Sequence, residues 1–379
     1  MKFALISNNL TSVKNFRTDF LKEIAKKGYE VHILAPDLYS FSTEKEFLED
    51  QGFILHEISL QRMGTNPIAD LRTLWDILKV LKTVKLDAVL SYTIKPIIYG
   101  TLAAYLAQVP KRFTLISGLG FAFQNHSNSG KDNFVKKIVN IMYKSALKRA
   151  HKVFFQNLDD QSLLKELGIL SIETPSVIVN GSGVNTDYFT PVPLVKDDAG
   201  YLKANFLMVA RFLHDKGIRE YFEAAKLVKA QFPEAEFHLV GWLDENPAAI
   251  SKQELDNIIA TKTIKYWGKL SDVRPAIAEA NVFVLPSYRE GVPRSVLEAM
   301  SMGRAIITTE APGCKETVID GVNGFKVKVQ SCEELSLAMI NFIENKEFIE
   351  KMGAESRKLV LDVYDVNKVN QHMLSEMRL

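Results

Sequence analysis

Residues 287–299 read Ser287-Tyr288-Arg289-Glu290-Gly291-Val292-Pro293-Arg294-Ser295-Val296-Leu297-Glu298-Ala299, with Glu290 and Glu298 eight residues apart around a Gly-Val-Pro turn. The apolar run Val282–Leu285 before them predicts a buried parallel strand ending at Pro286, and Pro293 suits the first position of a helix. Glu290 and Gly291 then stand at the carboxyl end of a strand, with Glu298 about one turn into the helix. The helix N-terminus between the carboxylates offers free N–H groups and a positive dipole end, which suits a phosphate. One carboxylate would grip a sugar on one side of that phosphate, the other a ribose on the far side. This geometry asks for a nucleotide-sugar.

Elements that must position these residues alternate along the chain. Phe3–Ser7 predicts a strand, Phe16–Lys27 a helix ended by Gly28, and Val31–Ala35 a strand. Further strands are predicted over Ala88–Ser91, Phe113–Ile116, Lys152–Gln156 and Ser176–Val179, with helices over Leu71–Val84 and Gly100–Ala107. The pattern restarts with strand Asn205–Val209 and helix Ile218–Gln231. Strands Glu236–Val240, Ile264–Trp267, Val282–Leu285, Ala305–Thr308 and Gly324–Val327 come after it. The fold class is α/β: two doubly wound, Rossmann-like domains facing a central cleft. The expected division is 1–190, a Pro/Gly-marked linker at 191–200, a second domain over 201–363, and a C-terminal helix over 364–379 that returns to the first domain.

The 379 residues exceed one ordinary core, and a net charge of +2 gives no global reason to bind nucleic acid. Two cysteines, Cys314 and Cys332, make no disulfide framework and fit a reducing cytoplasm. Residues 1–7 are too short and polar-flanked for a signal peptide, and no apolar run approaches the roughly 18 residues needed to span a bilayer. The expected location is cytoplasmic. No Asp-x-Asp of the kind that holds Mg²⁺ stands at a strand end, and the histidines show no ligand spacing. No metal or cofactor is expected.

The Glu-x7-Glu block, with Ala299-Met300-Ser301-Met302-Gly303 after it, resembles the signature of retaining glycosyltransferases of family 4, which have the two-domain GT-B fold. Arg211-Phe212-Leu213-His214-Asp215-Lys216-Gly217 resembles the family's Arg-x4-Lys-Gly, which binds the donor diphosphate. Fixed cations there act where charge develops on the departing UDP. The stretch 179–191 resembles the family's interdomain segment, and Gly303–Thr309 and Gly313–Gly324 resemble the family's segment C-terminal to the glutamate motif.

The resemblance implies that Glu290 contacts the transferred sugar, and that Glu298 binds the ribose hydroxyls. Arg211 and Lys216 would neutralise the diphosphate, helped by the amides of Gly291, Val292 and Arg294 and by Ser295. Gly241 falls in the family's glycine loop, and Trp267 and Gly268 would flank the uracil. Thr93 and Lys95 after one strand, and Ser117, Gly118 and Gly120 after the next, offer phosphate-friendly groups for the acceptor, with Arg17 as a further contact. These segments resemble the branch that extends sugars on polyprenyl diphosphate carriers, including bacterial enzymes adding N-acetylgalactosamine to lipid-linked bacillosamine. The family's histidine near Ile116-Ser117-Gly118 is missing here, which leaves the transferred sugar open.

The expected partners are thus a UDP-sugar, a polyprenyl-diphosphate-linked saccharide and the cytoplasmic face of the inner membrane. Basic, amphipathic 131–152 would supply the membrane contact through Lys131, Lys136, Lys137, Lys144, Lys148, Arg149 and Lys152. Two rivals are a UDP-sugar 2-epimerase of the same fold, which would turn over without acceptor, and a non-catalytic UDP-sugar-binding subunit. A dehydrogenase lacks its Gly-x-Gly-x-x-Gly after the first strand.

Overall fold

The computed structural model describes residues 1–61, 66–119, 130–244, 246 and 248–379, with side chains for all of these except 130–136. The chain divides into two compact units, Met1–Ser182 with Val369–Leu379, and Gly183–Lys368.

The first unit holds seven parallel strands: β1 (Lys2–Ile6), β2 (Glu30–Ala35), β3 (Ile54–Glu57), β4 (Ala88–Tyr92), β5 (Lys111–Ile116), β6 (Lys152–Phe155) and β7 (Ser176–Ile178). Their order is β3-β2-β1-β4-β5-β6-β7. Successive residues of a strand face opposite sides, so a sheet covered on both faces needs continuous apolar runs. In β1, Phe3 and Leu5 pack with Phe20 and Ile24 of helix Thr18–Lys26, while Ala4 and Ile6 pack with Ile77 and Leu81 of helix Pro67–Val84. The last residues of the chain join the first of these cores through Met373, Leu374 and Met377, and Lys152 Nζ lies 2.6 Å from Glu376 Oε2.

The second unit holds β8 (Asn205–Arg211), β9 (Glu236–Trp242), β10 (Lys265–Tyr266), β11 (Val282–Leu285), β12 (Ala305–Thr309) and β13 (Gly324–Val327), all parallel, in the order β10-β9-β8-β11-β12-β13. In each sheet the order reverses once, between β1 and β4 and between β8 and β11. Open α/β sheets bind ligands outside the carboxyl ends of the strands at such a point.

Residues 191–200 belong to the second unit by their bonds. Asn281, fully buried, accepts from Val195 N and donates to Val195 O, both at 2.8 Å. Arg304, buried, donates to the carbonyls of Val192 and Pro193 at 3.1 and 3.2 Å. That burial pushes its pKa down to about 10.

Three local expectations change. The helix expected over Phe16–Lys27 is two, Leu10–Phe16 and Thr18–Lys26, broken at Arg17, whose φ of −127° leaves the helical region. The helix expected from Gly100 is entered earlier, through a wide turn at Pro96–Gly100. Pro293 precedes helix Arg294–Ser301 as its N-cap in an extended conformation, one position before its expected place. None of the described helices is long and apolar enough to cross a membrane.

Candidate active site

Arg211 is the last residue of β8, and the chain then turns through His214–Lys216 to Gly217. Gly217 has φ +73°, and a Cβ there would stand 2.2 Å from Pro286 O, so only glycine lets this loop lie on the end of β11. Two bonds tie the loops together: Tyr288 N and Ser287 Oγ both donate to Asp215 O, at 2.8 and 2.9 Å. Behind them Thr309 Oγ1 donates to Ser287 O. Glu290 N donates to Pro312 O at 2.9 Å, and Gly313, at φ +82°, packs so closely that a Cβ would come 2.3 Å from Glu290 O. The peptide of Glu290 is therefore held by backbone from the loop after β12, and its neighbours Ser287 and Tyr288 by the loop after β8.

This scaffold brings together two residues 74 positions apart: Lys216 Nζ lies 2.6 Å from Glu290 Oε1. Asp215 Oδ2 is 4.0 Å from the same ammonium. Burial drives the Lys216 pKa down, but the Glu290 and Asp215 carboxylates outweigh it and leave the pKa above the ordinary value. Lys216 is a cation at neutral pH. Arg211 is more exposed and pairs with Asp244, Nη1 to Oδ2 at 3.0 Å, while its charge still acts on Lys216. Both expected diphosphate cations thus stand at the switch point of the sheet, each against a carboxylate.

Glu298 lies in the second turn of helix Arg294–Ser301, with Arg294 Nε 3.2 Å from its Oε1. Burial pushes the carboxyl up to about 7; Arg294 opposes this, and Asp272 adds to it. Gly291 is buried, and Val292, Arg294 and Ser295 are half-buried beside it. Gly241, at the end of β9, has no room for a side chain: a Cβ would meet Ala210 O at 1.9 Å. Its N–H donates to Gly268 O at 3.0 Å. The Trp267 indole N–H donates to His238 Nδ1 at 3.1 Å, and Lys265 Nζ sits 4.6 Å above its ring. The Trp267 side chain is thus occupied by its own unit, and the backbone of 267–268 is what stands beside the glycine loop.

In the first unit, Thr93 directly follows β4 with φ +73°, a strained value for a β-branched residue, and its Oγ1 is buried without a partner. Lys95 Nζ pairs with Asp70 Oδ1 at 2.9 Å, both largely shielded from solvent. Gly118 adopts φ +113° after β5, next to half-buried Ser117. Gly120 lies outside the described residues. Arg17 is buried with its guanidinium 5.1 Å from the Tyr92 ring centroid, and Tyr92 OH bonds Ser12 Oγ. Burial pushes the Tyr92 phenol up, against the pull of Arg17.

Several contributors carry little sequence signal. Asp70 is 25 residues from Lys95 in the chain, so only the fold pairs them. Tyr288 OH donates to Glu220 Oε1 at 2.6 Å, and Ser287 bridges loops by its hydroxyl; neither role leaves a spacing to read. Asp215 stood in plain view beside Lys216.

The family model described as "Glycosyl transferases group 1" matches residues 203–345, and "Glycosyl transferase 4-like" matches residues 5–157. The chain is 30% identical to the N,N'-diacetylbacillosaminyl-diphospho-undecaprenol alpha-1,3-N-acetylgalactosaminyltransferase of Campylobacter jejuni, over 99% of this chain and 97% of that protein. It is 28% identical to the UDP-Gal:alpha-D-GlcNAc-diphosphoundecaprenol alpha-1,3-galactosyltransferase of Escherichia coli, over 79% of this chain and 77% of that protein. Among solved structures, Anabaena HepE in complex with UDP and glucose superposes with a TM-score of 0.77 at 17% identity, over 100% of this chain and 99% of that one. Sucrose-phosphate synthase from Thermosynechococcus elongatus gives 0.77 at 18%, over 100% and 98%. These two likenesses establish the GT-B fold, with its two parallel-sheet domains. With motifs, fold and full-length similarity in agreement, the chain belongs to the group 1/4-like glycosyltransferases and is a glycosyltransferase.

Proposed function

We propose that this glycosyltransferase moves an N-acetylhexosamine such as GalNAc from a UDP donor to a polyprenyl-diphosphate-linked saccharide, with retention and without a metal. The observation that carries the reading is the 2.6 Å Lys216–Glu290 pair at the switch point of the second sheet. The names of the Campylobacter and Escherichia relatives supply the carrier lipid, that of the Campylobacter relative alone the N-acetylhexosamine, and those of the HepE structures supply UDP.

On this reading Lys216 and Arg211 neutralise the donor diphosphate, doing by fixed side chains what a divalent ion does elsewhere. Glu290 accepts a hydroxyl of the transferred sugar, and Glu298 accepts the ribose hydroxyls. Gly291, Val292 and Arg294 offer backbone N–H groups, and Ser295 a hydroxyl, to the phosphates; Gly241 and the 267–268 backbone face the base. The bond from the anomeric carbon to the phosphate oxygen breaks, and its electron pair leaves on UDP. The acceptor hydroxyl bonds to the same face, and its proton passes to the departing phosphate. Arg17, Thr93, Lys95, Ser117 and Gly118 form the acceptor side.

Membrane contact belongs to the same proposal. On helix Gly130–Leu147, Lys137, Ile138, Ile141 and Lys144 are exposed along one face, and Lys148 comes just after it. Helix Pro67–Val84 exposes Ile68, Leu71 and Trp75 at one-turn spacing. An apolar stripe with interleaved cations suits an anionic bilayer surface.

The decisive assay is UDP release from a panel of UDP-sugars, with and without a short polyprenyl-diphosphate saccharide, in chelator. Release that needs both substrates and survives chelation is expected, with the anomeric configuration of the product kept. UDP release without acceptor would point to a hydrolase or epimerase and overturn the acceptor reading, and an inverted product would overturn retention. Co-sedimentation with anionic vesicles, lost on neutralising Lys137, Lys144 and Lys148, checks the surface; unchanged binding removes it.

A further inference from the structure

Lys216 is held by two carboxylates, and the chemistry just described needs only one of them. Glu290 Oε1 is at 2.6 Å and Asp215 Oδ2 at 4.0 Å from the ammonium. When a donor occupies the site, Glu290 must turn to the sugar and Lys216 to the diphosphate. An ammonium released by its closer partner needs something else to hold it in place. Asp215 is the carboxylate left. Its backbone oxygen is already fixed by Tyr288 N and Ser287 Oγ, so it cannot drift away from the 287–290 segment. Its second oxygen, Oδ1, is shielded from water and makes no hydrogen bond.

We propose that Asp215 is a positioning residue for catalysis: it retains Lys216 at the donor diphosphate while Glu290 is transferred to the sugar. The inference rests on the donor reading of Lys216. It gives Lys216 two resting partners and one working partner, and it makes the exchange between Glu290 and phosphate a short rotation of the lysine instead of a loss of its anchor. Asp215 also sets a limit on product affinity, because its charge faces the same phosphates that Lys216 attracts. Removing it should leave UDP binding intact or tighter while slowing transfer. A residue that merely braces the loop would lower both together.

The test compares Asp215→Asn, Asp215→Glu and Lys216→Met with the unaltered full chain. UDP affinity is measured by calorimetry, kcat and KM by UDP release with the lipid-linked acceptor, and folding by thermal melting. Asp215→Asn is expected to bind UDP at least as tightly as the unaltered protein and to lose about tenfold or more in kcat, with an unchanged melting temperature. Asp215→Glu is expected to recover most of the rate. Equal losses in UDP affinity and kcat, or an unaltered kcat, would overturn the inference. Lys216→Met separates it from its foundation: if that variant binds UDP as the unaltered protein does, the donor reading of Lys216 fails and takes this role of Asp215 with it. If Lys216→Met loses UDP while Asp215→Asn is unaltered in rate, the donor reading stands and only the role of Asp215 is refuted.

Discussion

The two sheets share a topology, yet their switch points are furnished differently. At the end of β8 and β11 the ionic groups are already assembled: Lys216 with Glu290, Arg211 with Asp244, Arg294 with Glu298. At the end of β1 and β4 the furniture is mostly hydroxyl. Ser91, Thr93, Thr101 and Thr114 each have a buried oxygen without a hydrogen-bond partner. Ser91 and Thr114 are register neighbours on β4 and β5, and Gly100 passes so close that a Cβ would come 2.6 Å from Ser91 Oγ. A preassembled set of charges suits a ligand of constant chemistry, such as a diphosphate. Hydroxyls left open suit one whose contacts are made on arrival. The lesson is that the same fold specialises by which polar groups it gathers at the switch point: ion pairs in one unit, buried hydroxyls in the other.

The largest expected effect breaks the preassembled side. Glu290→Gln keeps the shape of the side chain and removes the charge that Lys216 faces at 2.6 Å. A hydrogen bond to the reacting sugar that strengthens in the transition state is worth about 10²–10³ in rate. Glu290→Gln should lose that much kcat with little change in UDP affinity, whereas Lys216→Met should lose both. Parallel losses in both variants, read by UDP release and calorimetry, would reduce Glu290 to a plain binding residue.

A smaller effect tests the ion pair at the first unit's site, Lys95 with Asp70. Lys95→Met removes the partner of Asp70, to which Tyr99 also bonds, its phenol pushed well up by burial and by that carboxylate. The acceptor KM should rise about tenfold, roughly 1.4 kcal/mol of binding, with the donor KM unaltered. A rise in the donor KM instead would blur the division of labour between the two units.

How much of this was legible before the fold depended on range. β11 carries the bounds expected from its apolar run, because a fully buried parallel strand has an unbroken signal. β13 keeps its expected bounds too, although it is an edge strand with Phe325 and Lys326 half-buried. β3, absent from the expected strands, has no such signal: Ile54-Leu55-His56-Glu57 is an edge strand exposed at both ends. Arg17 is legible as a candidate acceptor contact, but its partner is not: only the fold brings its guanidinium over Tyr92, 75 residues on. Glu290 and Lys216 were each singled out by local motif, but that they touch is a product of Gly217 and Gly313, which let two backbones approach where no Cβ fits. Local chemistry can be read along the chain; its pairing is written by the sheet.

A further test sharpens the comparison from inside the charged site. Glu298 is the acidic group of this site whose burial raises its pKa, from 4.5 to about 7. A carboxyl whose native pKa lies above its unfolded value binds more protons folded than unfolded between those two values. Its contribution to stability is therefore present below about pH 4.5 and lost as pH rises toward about 7. Each unit of such a shift corresponds to about 1.4 kcal/mol, so the loss is at most about 3.5 kcal/mol. Urea melts of the ligand-free protein should show the unaltered chain losing stability relative to Glu298→Gln from pH 5 to pH 8. Ribose hydroxyls donate best to the ionised form. The advantage in UDP affinity of the unaltered chain over Glu298→Gln should therefore grow across the same range. The two slopes have opposite signs and one cause. If stability and UDP affinity instead moved together, the burial of Glu298 would be a packing accident, and the ribose would have to be sought at another group.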